Sequence, residues 1–187
     1  DLTATINAVV LDKTGTITTG HPSVTDIVPV DGVTENDLLA LTASLEKSSE
    51  HPLGQAIVAE AENRGLEVVR PGSFSSITGK GILGEISGKQ VIIGNNKLMI
   101  EEGIEFSEYQ TLINTLQNDA KTPLLIAIDH QFAGVIAVAD TVKVNSKKAI
   151  QKLRNLGLDV MMITGDNELT AKAISSQMGI DHVISDV

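Results

Sequence analysis

The hydrophobic and polar positions follow one pattern at the two ends of the chain. From residue 140 onward, helical spacing of apolar residues alternates with short apolar runs. This predicts a helix over 147–156, a strand over 158–163, a helix over 168–178 and a strand from 181. Such alternation indicates a parallel α/β sheet. The apolar run 6–11, which ends at Asp12, fits the same sheet.

The intervening residues follow a different pattern, in which neighbouring strands are joined by short turns. We predict helices over 34–47, 52–64, 97–102 and 108–118, and strands over 24–30, within 68–87, and over 91–94, 123–128 and 132–139. Glycine-containing turns and the short link at 129–131 favour antiparallel pairing. This part therefore indicates an α+β domain built on an antiparallel sheet.

The change of pattern defines the domain organisation. Turn-forming residues at 19–22 and the start of the second α/β segment at Asp140 mark the two boundaries. We expect one α/β domain formed by residues 1–19 and 140–187, interrupted by an inserted α+β domain over 20–139. The Asp140–Lys143 stretch is interpreted as a hinge, with a possible role for Lys143 near phosphate.

Asp12 is the first candidate for chemistry. In an open α/β sheet, reactive groups gather beyond the carboxyl ends of the strands. Gly15 permits a tight turn after Asp12, so backbone N–H groups, Lys13 and the hydroxyls of Thr14 and Thr16 could surround a phosphoryl group. Aspartate is a competent nucleophile toward phosphorus. The alternative is an ordinary strand followed by a turn.

Further candidates lie at strand ends and helix starts. Thr164 stands where a second strand ends, and Asp166 begins the next helix, although a capped turn explains them equally well. His51 precedes Pro52 at a predicted helix start, a position that is more often a surface loop. The glycines at 79, 81 and 84 allow close approach of a flat ring, or alternatively form a β-bulge.

Composition narrows the classes of partner. The formal net charge is −10 without a basic run, which argues against nucleic acid as a partner because its phosphate backbone needs a positive surface. The absence of cysteine excludes disulfides and thiolate metal sites. The longest apolar run, 132–139, is too short to cross a bilayer. We therefore expect a soluble chain of cytoplasmic type, and a segment of a longer protein.

Several motifs together resemble one known family. The sequence DKTGTIT at 12–18 resembles the phosphorylation motif of the P-type ATPases, ion pumps of the haloacid-dehalogenase-like superfamily. The sequences SEHPLG at 49–54, GKG at 79–81, IGN at 93–95, DTVK at 140–143 and ITGDN at 163–167 resemble the heavy-metal-transporting subgroup. Residues 179–184 look most like copper exporters.

The resemblance implies a fold and a site. The fold would be a Rossmann-like, haloacid-dehalogenase-like phosphorylation domain, incomplete here, with an inserted nucleotide-binding domain. Asp12 would take the γ-phosphoryl of ATP, and Mg²⁺ would lie between the Asp12 carboxylate and the Thr14 backbone carbonyl. The implied catalytic residues are Asp12, Lys13 and Thr164; those near phosphate are Thr14, Gly165 and Asp166; those binding nucleotide are Glu46, His51, Gly79, Gly81, Gly94 and Asn95.

The resemblance also implies partners and a location. The chain would work with the remaining phosphorylation, actuator and transmembrane domains of a pump, at the cytoplasmic face of a membrane. The family's later lysine and Gly-Asp-Gly-x-Asn-Asp motif do not occur in this chain. We therefore expect nucleotide binding by the insert, impaired phosphorylation of Asp12 in this fragment, and an exposed edge on its half-built sheet.

Two other functions remain open from the residues. One is a soluble phosphatase of the same superfamily with a large cap domain, and the other is a non-catalytic nucleotide-sensing module. Thr14 argues against the phosphatase, because such enzymes commonly carry a second aspartate there as general acid and base. A sensing module would still bind ATP after Asp12→Asn and would show no covalent step.

Overall fold

The computed structural model describes residues 6–187, so the first five residues of the predicted 1–19 segment lie outside it. The strands are β1 (Ala8–Asp12), β2 (Thr18–Pro29), β3 (Ser73–Ile77), β4 (Gly81–Ile86), β5 (Lys89–Gly94), β6 (Thr122–Ile128), β7 (Gln131–Val142), β8 (Asp159–Ile163) and β9 (His182–Ile184). The helices are α1 (Glu35–Glu46), α2 (Pro52–Asn63), α3 (Asn96–Glu101), α4 (Gln110–Asn118), α5 (Ser146–Asn155) and α6 (Glu168–Met178).

The ends of the chain form a three-stranded parallel sheet in the order β1-β8-β9. Helix α5 packs on β8 and α6 on β9. Ile150 of α5 and Ile174 of α6 form a core with Ile17, Val160 and Met162. The predicted parallel α/β sheet is therefore confirmed. In the described part of the chain β1 is an outer strand, and its Val10 is 55% exposed.

The middle of the chain forms a six-stranded sheet in the order β2-β7-β6-β5-β4-β3. Alternate residues of its strands contribute to two separate cores. Helices α1 and α2 supply Leu38, Leu45 and Ile57 to one of them. Helices α3 and α4 supply Leu98 and Ile113 to the other. Its pairings from β3 to β7 are antiparallel, which confirms the predicted antiparallel sheet.

Contacts divide the chain into two compact units. Unit 1 comprises the described residues up to His21, Gln117–Lys121 and Asp140–Val187, and unit 2 comprises Pro22–Leu116 and Thr122–Ala139. The predicted boundaries at 19/20 and 139/140 remain predictions; the contact-based division adds residues 117–121 to the first unit. None of the helices within residues 6–187 combines the length and apolar character needed to cross a bilayer.

One expectation about the strands is wrong. The turn expected at 19–22 lies inside β2, which runs through Thr18–Pro29. Pro22 is tolerated because β2 is an outer strand of its sheet and need not donate every ladder hydrogen bond. The hinge expected from Asp140 stays a prediction; residues 140–142 are the last three of β7.

Most helix starts follow the sequence closely, although Asn167 caps α6 where Asp166 was expected to begin that helix. Thr34, His51, Asn95 and Asn167 cap α1, α2, α3 and α6, and each side chain accepts a backbone N–H of the first turn. Gly179 ends α6 with φ +72° in the left-handed region. The predicted helix over 108–118 instead opens with a single 3₁₀ turn, Ser107–Tyr109, before α4 begins.

Gly84 of β4 offers a test of this packing. A Cβ added there would lie 2.2 Å from the Ser73 carbonyl oxygen and 2.6 Å from Leu45 Cδ1. The Ser73 oxygen belongs to the backbone of the neighbouring strand and cannot move freely. We expect Gly84→Ala to lower the free energy of unfolding by about 1–3 kcal/mol, measured by urea denaturation.

The matched control is Gly72→Ala. An added Cβ there would meet the Glu85 carbonyl oxygen at 3.7 Å, an ordinary van der Waals contact. We expect its free energy of unfolding to stay within about 0.5 kcal/mol of the wild-type value. Equal decreases in the free energy of unfolding of the two variants would contradict the close approach described for β3 and β4.

Candidate functional site

Asp12 and Thr164 lie at the same edge of the parallel sheet. Strands β1 and β8 pair in parallel with Asp12 opposite Ile163, so Thr164 directly follows the residue beside Asp12. Asp12 is exposed and Thr164 is buried. The Thr164 hydroxyl oxygen accepts the Asp166 backbone N–H at 3.1 Å, which leaves the hydroxyl proton available for donation to another group.

Lys13 and Asp166 form an ion pair beside these strand ends. Lys13 Nζ lies 2.6 Å from Asp166 Oδ2, and the two side chains are only 11% and 10% exposed. An unpaired charge at such depth is costly, so each group stabilises the other in place. Gly165 connects Thr164 to Asp166. The structure thus brings together Asp12, Lys13 and the predicted Thr164–Asp166 turn.

The loop Lys13–Ile17 turns the chain sharply after Asp12. Thr14 has ψ 123° and Gly15 has φ +75°, a left-handed conformation that suits glycine. The Thr14 backbone N–H donates to Asp12 Oδ1 at 3.3 Å. The Gly15 N–H instead donates to Thr18 Oγ1 at 3.3 Å. The Thr14 amide therefore faces the Asp12 carboxylate, while the Gly15 amide is bound by the first residue of β2.

The oxygen donors near Asp12 suit a divalent cation that takes few ligands from the protein. Among residues 6–187, no group of three or more histidine, cysteine or acidic side chains could hold a metal ion. The Asp12 carboxylate and Thr14 carbonyl are both hard oxygen donors. Mg²⁺ commonly binds one or two carboxylates, keeps several waters and takes further oxygens from phosphate. The residues present therefore fit Mg²⁺, and Asp12 and Thr14 are its predicted ligands.

Glu46 and His51 lie at facing ends of two helices in unit 2. Glu46 is buried at the end of α1, against Gly54 in the first turn of α2. A Cβ on Gly54 would stand 2.1 Å from Glu46 Oε2, so a side chain at position 54 would displace this carboxyl. Burial raises the pKa of Glu46 to about 7, and a hydrogen bond with Ser49 offsets part of the shift.

His51 caps the second of these helices. Its Nδ1 accepts the Leu53 backbone N–H at 3.3 Å, which requires an unprotonated Nδ1. Desolvation by neighbouring atoms lowers the pKa of His51, although the side chain still reaches solvent. Both effects favour the neutral imidazole near pH 7. Glu46 and His51 thus belong to one group around the start of α2.

The predicted glycines and Asn95 form a second group in unit 2. Gly81 and Gly94 are partners across β4 and β5. Added Cβ atoms would lie 2.1 Å from the Ile93 carbonyl oxygen and 2.4 Å from the Lys80 carbonyl oxygen, respectively. Asn95 Nδ2 donates to the Gly79 carbonyl at 2.9 Å. The close strands already require glycine at 81 and 94, so their presence alone does not identify a ligand.

The two groups are linked through packing. Helix α1 packs on β4, where Leu45 contacts Gly84. None of the hydrogen bonds described for residues 6–187 joins Glu46 or His51 to the glycine group. Sequence reasoning missed Gly54 as the residue that admits Glu46. It also missed the contacts of Asp140 with the start of β2, because no periodicity relates positions that far apart.

Comparison with known proteins identifies similar chains. The model of the haloacid dehalogenase-like hydrolases matches residues 6–187. A copper-exporting P-type ATPase of Bacillus subtilis (strain 168) is 44% identical over 97% of this chain and 23% of its own length. A silver exporting P-type ATPase of Salmonella typhimurium is 39% identical over 95% and 22%, respectively. The chain thus spans about a quarter of the length of these relatives.

Solved structures of ATPases are also similar to this chain. A zinc-transporting PIB-type ATPase in an E2.Pi state has a TM-score of 0.70 and 34% identity, covering 97% of this chain and 29% of that one. The catalytic domain of the CPx-ATPase CopB-B has a TM-score of 0.71 and 26% identity, covering 97% of this chain and 62% of that one.

The buried Glu46 carboxyl predicts a pH-dependent stability. Its folded pKa of about 7 exceeds its ordinary value of 4.5, so the folded state holds the proton more tightly than the unfolded state. This contribution is complete below about pH 4.5 and is lost as the pH rises to about 7. Glu46→Gln stays neutral at every pH. We therefore expect its free energy of unfolding, relative to that of wild type, to rise by on the order of 3 kcal/mol from pH 4 to pH 8.

Urea denaturation at several pH values measures this difference. Glu62→Gln is the matched control, since Glu62 is an exposed residue of α2. The difference between this control and wild type should change little with pH. A constant difference in the free energy of unfolding between Glu46→Gln and wild type across the range would show that folding does not raise the pKa of Glu46.

Proposed function

Because the chain belongs to the haloacid dehalogenase-like hydrolases, we propose that it is the ATP-binding and phosphorylation part of a P-type ATPase that exports copper. The observation that carries this proposal is the placement of Asp12 beside Thr164 at the carboxyl ends of β1 and β8. The resemblance to metal-transporting P-type ATPases is confirmed over 97% of the chain. The predicted domain assignment, 1–19 with 140–187 for phosphorylation and 20–139 for nucleotide binding, is part of the proposal.

Asp12 is the proposed phosphoryl acceptor. Its carboxylate oxygen attacks the γ-phosphorus of ATP, an oxygen–phosphorus bond forms, and the bond to the β-phosphate oxygen breaks to release ADP. The Thr14 amide orients the carboxylate, and Thr164 can donate its hydroxyl proton to a phosphoryl oxygen. Lys13 supplies positive charge, which Asp166 holds in place. Gly165 belongs to the same phosphate-facing turn.

Mg²⁺ is the proposed cofactor of this site. The Asp12 carboxylate and Thr14 carbonyl would hold it, and it would offset the negative charge of the phosphate groups. Thr14 also accounts for a lasting aspartyl phosphate. The threonine hydroxyl does not ionise near neutral pH, so position 14 offers no general base for rapid hydrolysis. This property favours a pump over the alternative, a phosphatase with a large cap domain.

The nucleotide is assigned to unit 2. The proposed contacts to the adenosine end of ATP are Glu46, His51, Gly79, Gly81, Gly94 and Asn95. A neutral His51 ring at the start of α2 can pack on the base or accept a hydrogen bond. Glu46 offers a carboxyl group that can pair with the adenine edge. A purely sensing role is disfavoured by the arrangement at Asp12, which nucleotide binding alone does not need.

Copper and the membrane belong to the whole protein. The relatives named above are copper-exporting and silver-exporting ATPases. We propose that the transported ion is cargo bound outside this chain, in transmembrane segments of the pump, and that this chain works at the cytoplasmic face. Its further partners are the actuator domain and the rest of the phosphorylation domain.

Phosphoenzyme formation tests the proposed acceptor. The full-length protein that carries this chain should form an acid-stable, hydroxylamine-labile product from ATP labelled at the γ-phosphate, in the presence of Mg²⁺. Asp12→Asn should abolish the label, because an amide is not a nucleophile toward phosphorus. Asp159→Asn is the matched control, an exposed aspartate at the opposite end of the sheet. A labelled Asp12→Asn protein would refute this acceptor.

His51→Gln tests the nucleotide site. We expect the dissociation constant for ATP, measured by isothermal titration, to rise about tenfold, the loss of roughly one good contact. His182→Gln in β9 is the matched control and should bind ATP as wild type does. Unchanged affinity in His51→Gln, with unchanged phosphorylation, would remove His51 from the site.

A further inference from the structure

Asp140 holds the beginning of β2 through both of its carboxylate oxygens. Oδ2 accepts the Thr18 hydroxyl at 2.5 Å and the Gly20 N–H at 3.1 Å. Oδ1 accepts the Thr19 hydroxyl at 3.0 Å and the His21 N–H at 3.2 Å. One carboxylate is thus bound by four donors from consecutive residues. Charge-assisted hydrogen bonds of this kind are stronger than neutral ones, so Asp140 fixes this segment firmly.

Thr18 connects Asp140 to the loop after Asp12 through hydrogen bonds. Its side-chain oxygen accepts the Gly15 N–H at 3.3 Å and also lies 3.0 Å from the Lys13 carbonyl oxygen. A hydroxyl has one proton, and the nearer, charged Asp140 is the better acceptor for it. A hydrogen-bonded chain therefore runs from the Gly15 amide through Thr18 to Asp140. Thr18 is fully buried, so water cannot replace its hydroxyl.

The residues that follow Asp140 bind the same loop. The Lys143 N–H donates to the Ile17 carbonyl at 3.0 Å, and the Ser146 hydroxyl donates to the same oxygen at 2.8 Å. Lys143 Nζ donates to the Gly15 carbonyl. Both polar groups of Gly15 are therefore held by side chains. The conformation of the loop depends on contacts with residues 140–146 as well as on its own sequence.

The consequence lies in the peptide group between Thr14 and Gly15. This group is trans, as are all peptide bonds among the described residues, and a trans peptide is planar with its N–H and C=O pointing in opposite directions. Fixing the Gly15 N–H therefore fixes the Thr14 carbonyl. That carbonyl is one of the two oxygen donors assigned to Mg²⁺ above.

We infer that Asp140 and Thr18 are positioning residues, which aim the Thr14 carbonyl by holding the amide of the same peptide group. Neither side chain needs to touch ATP or Mg²⁺ in this role. The inference rests on the proposed function for its effect on phosphorylation. The orientation of the peptide itself is a property of the chain alone and can be measured separately.

Three variants distinguish the hydrogen bonds of the Thr18 hydroxyl from the other contacts of Asp140. Thr18→Val removes the hydroxyl at nearly constant shape, and Thr18→Ser restores it. Thr19→Val is the matched control, because the Thr19 hydroxyl also binds Asp140 but makes none of the described hydrogen bonds to residues 13–17. Each variant is tested as the 187-residue chain and within the full-length protein.

The first measurement is hydrogen exchange of the Gly15 amide by NMR, normalised to the buried Val160 amide of β8. We expect exchange to accelerate about tenfold in Thr18→Val, from the loss of one hydrogen bond, and to stay near wild type in Thr18→Ser and Thr19→Val. Normalisation separates a local opening from general unfolding. Equal exchange in Thr18→Val and wild type would overturn the inference.

The second measurement is the Mg²⁺ concentration for half-maximal phosphoenzyme formation in the full-length protein. It should rise about tenfold in Thr18→Val and recover in Thr18→Ser, while ATP affinity stays unchanged. An equal rise in Thr19→Val would overturn the specific role of Thr18. If the wild type forms no phosphoenzyme, the proposed function is wrong, and the Gly15 exchange alone decides whether the amide is held.

Discussion

The parallel pairing of β1 with β8 is the constraint on which the candidate chemistry depends. It sets Asp12 opposite Ile163, and so delivers an exposed carboxylate and the buried Thr164 hydroxyl to one edge. A shift of one residue in this pairing would turn every side chain of a strand to the other face of the sheet. The apolar residues Val160 and Met162, buried beneath α5 and α6, oppose such a shift. Packing thereby fixes the placement of the reactive groups.

Much of this arrangement follows from local sequence. Asp12 ends an apolar run, Thr34 is an ordinary helix cap and Gly179 is an ordinary helix end, so short-range rules place them well. The contacts of Asp140 were not predictable in this way. Its four donors lie about 120 residues away in the sequence, and turn-forming residues there suggested a loop where the structure has an edge strand.

The nucleotide-binding residues show a second limit of sequence reasoning. Gly81 was interpreted as room for a flat ring, and Gly94 as part of a nucleotide-binding stretch. The neighbouring backbone nevertheless already requires glycine at both positions. The opposite holds for Gly54, the last residue of the SEHPLG motif, to which no role was assigned from the sequence. Its missing side chain accommodates the Glu46 carboxyl, whose burial raises its pKa to about 7. Steric demands within the fold and demands of a ligand can therefore select the same residue type.

The Asp140 contacts also bear on how such a chain could arise. The long excursion 22–139 leaves after His21 and returns at Asp140, and these two residues are joined by a hydrogen bond of 3.2 Å. Its two ends therefore lie side by side. A host fold can acquire or exchange a segment with adjoining ends while keeping its own strands in place, much as circular permutation succeeds where termini are close. The Asp140 carboxylate joins the outgoing and returning strands at this junction.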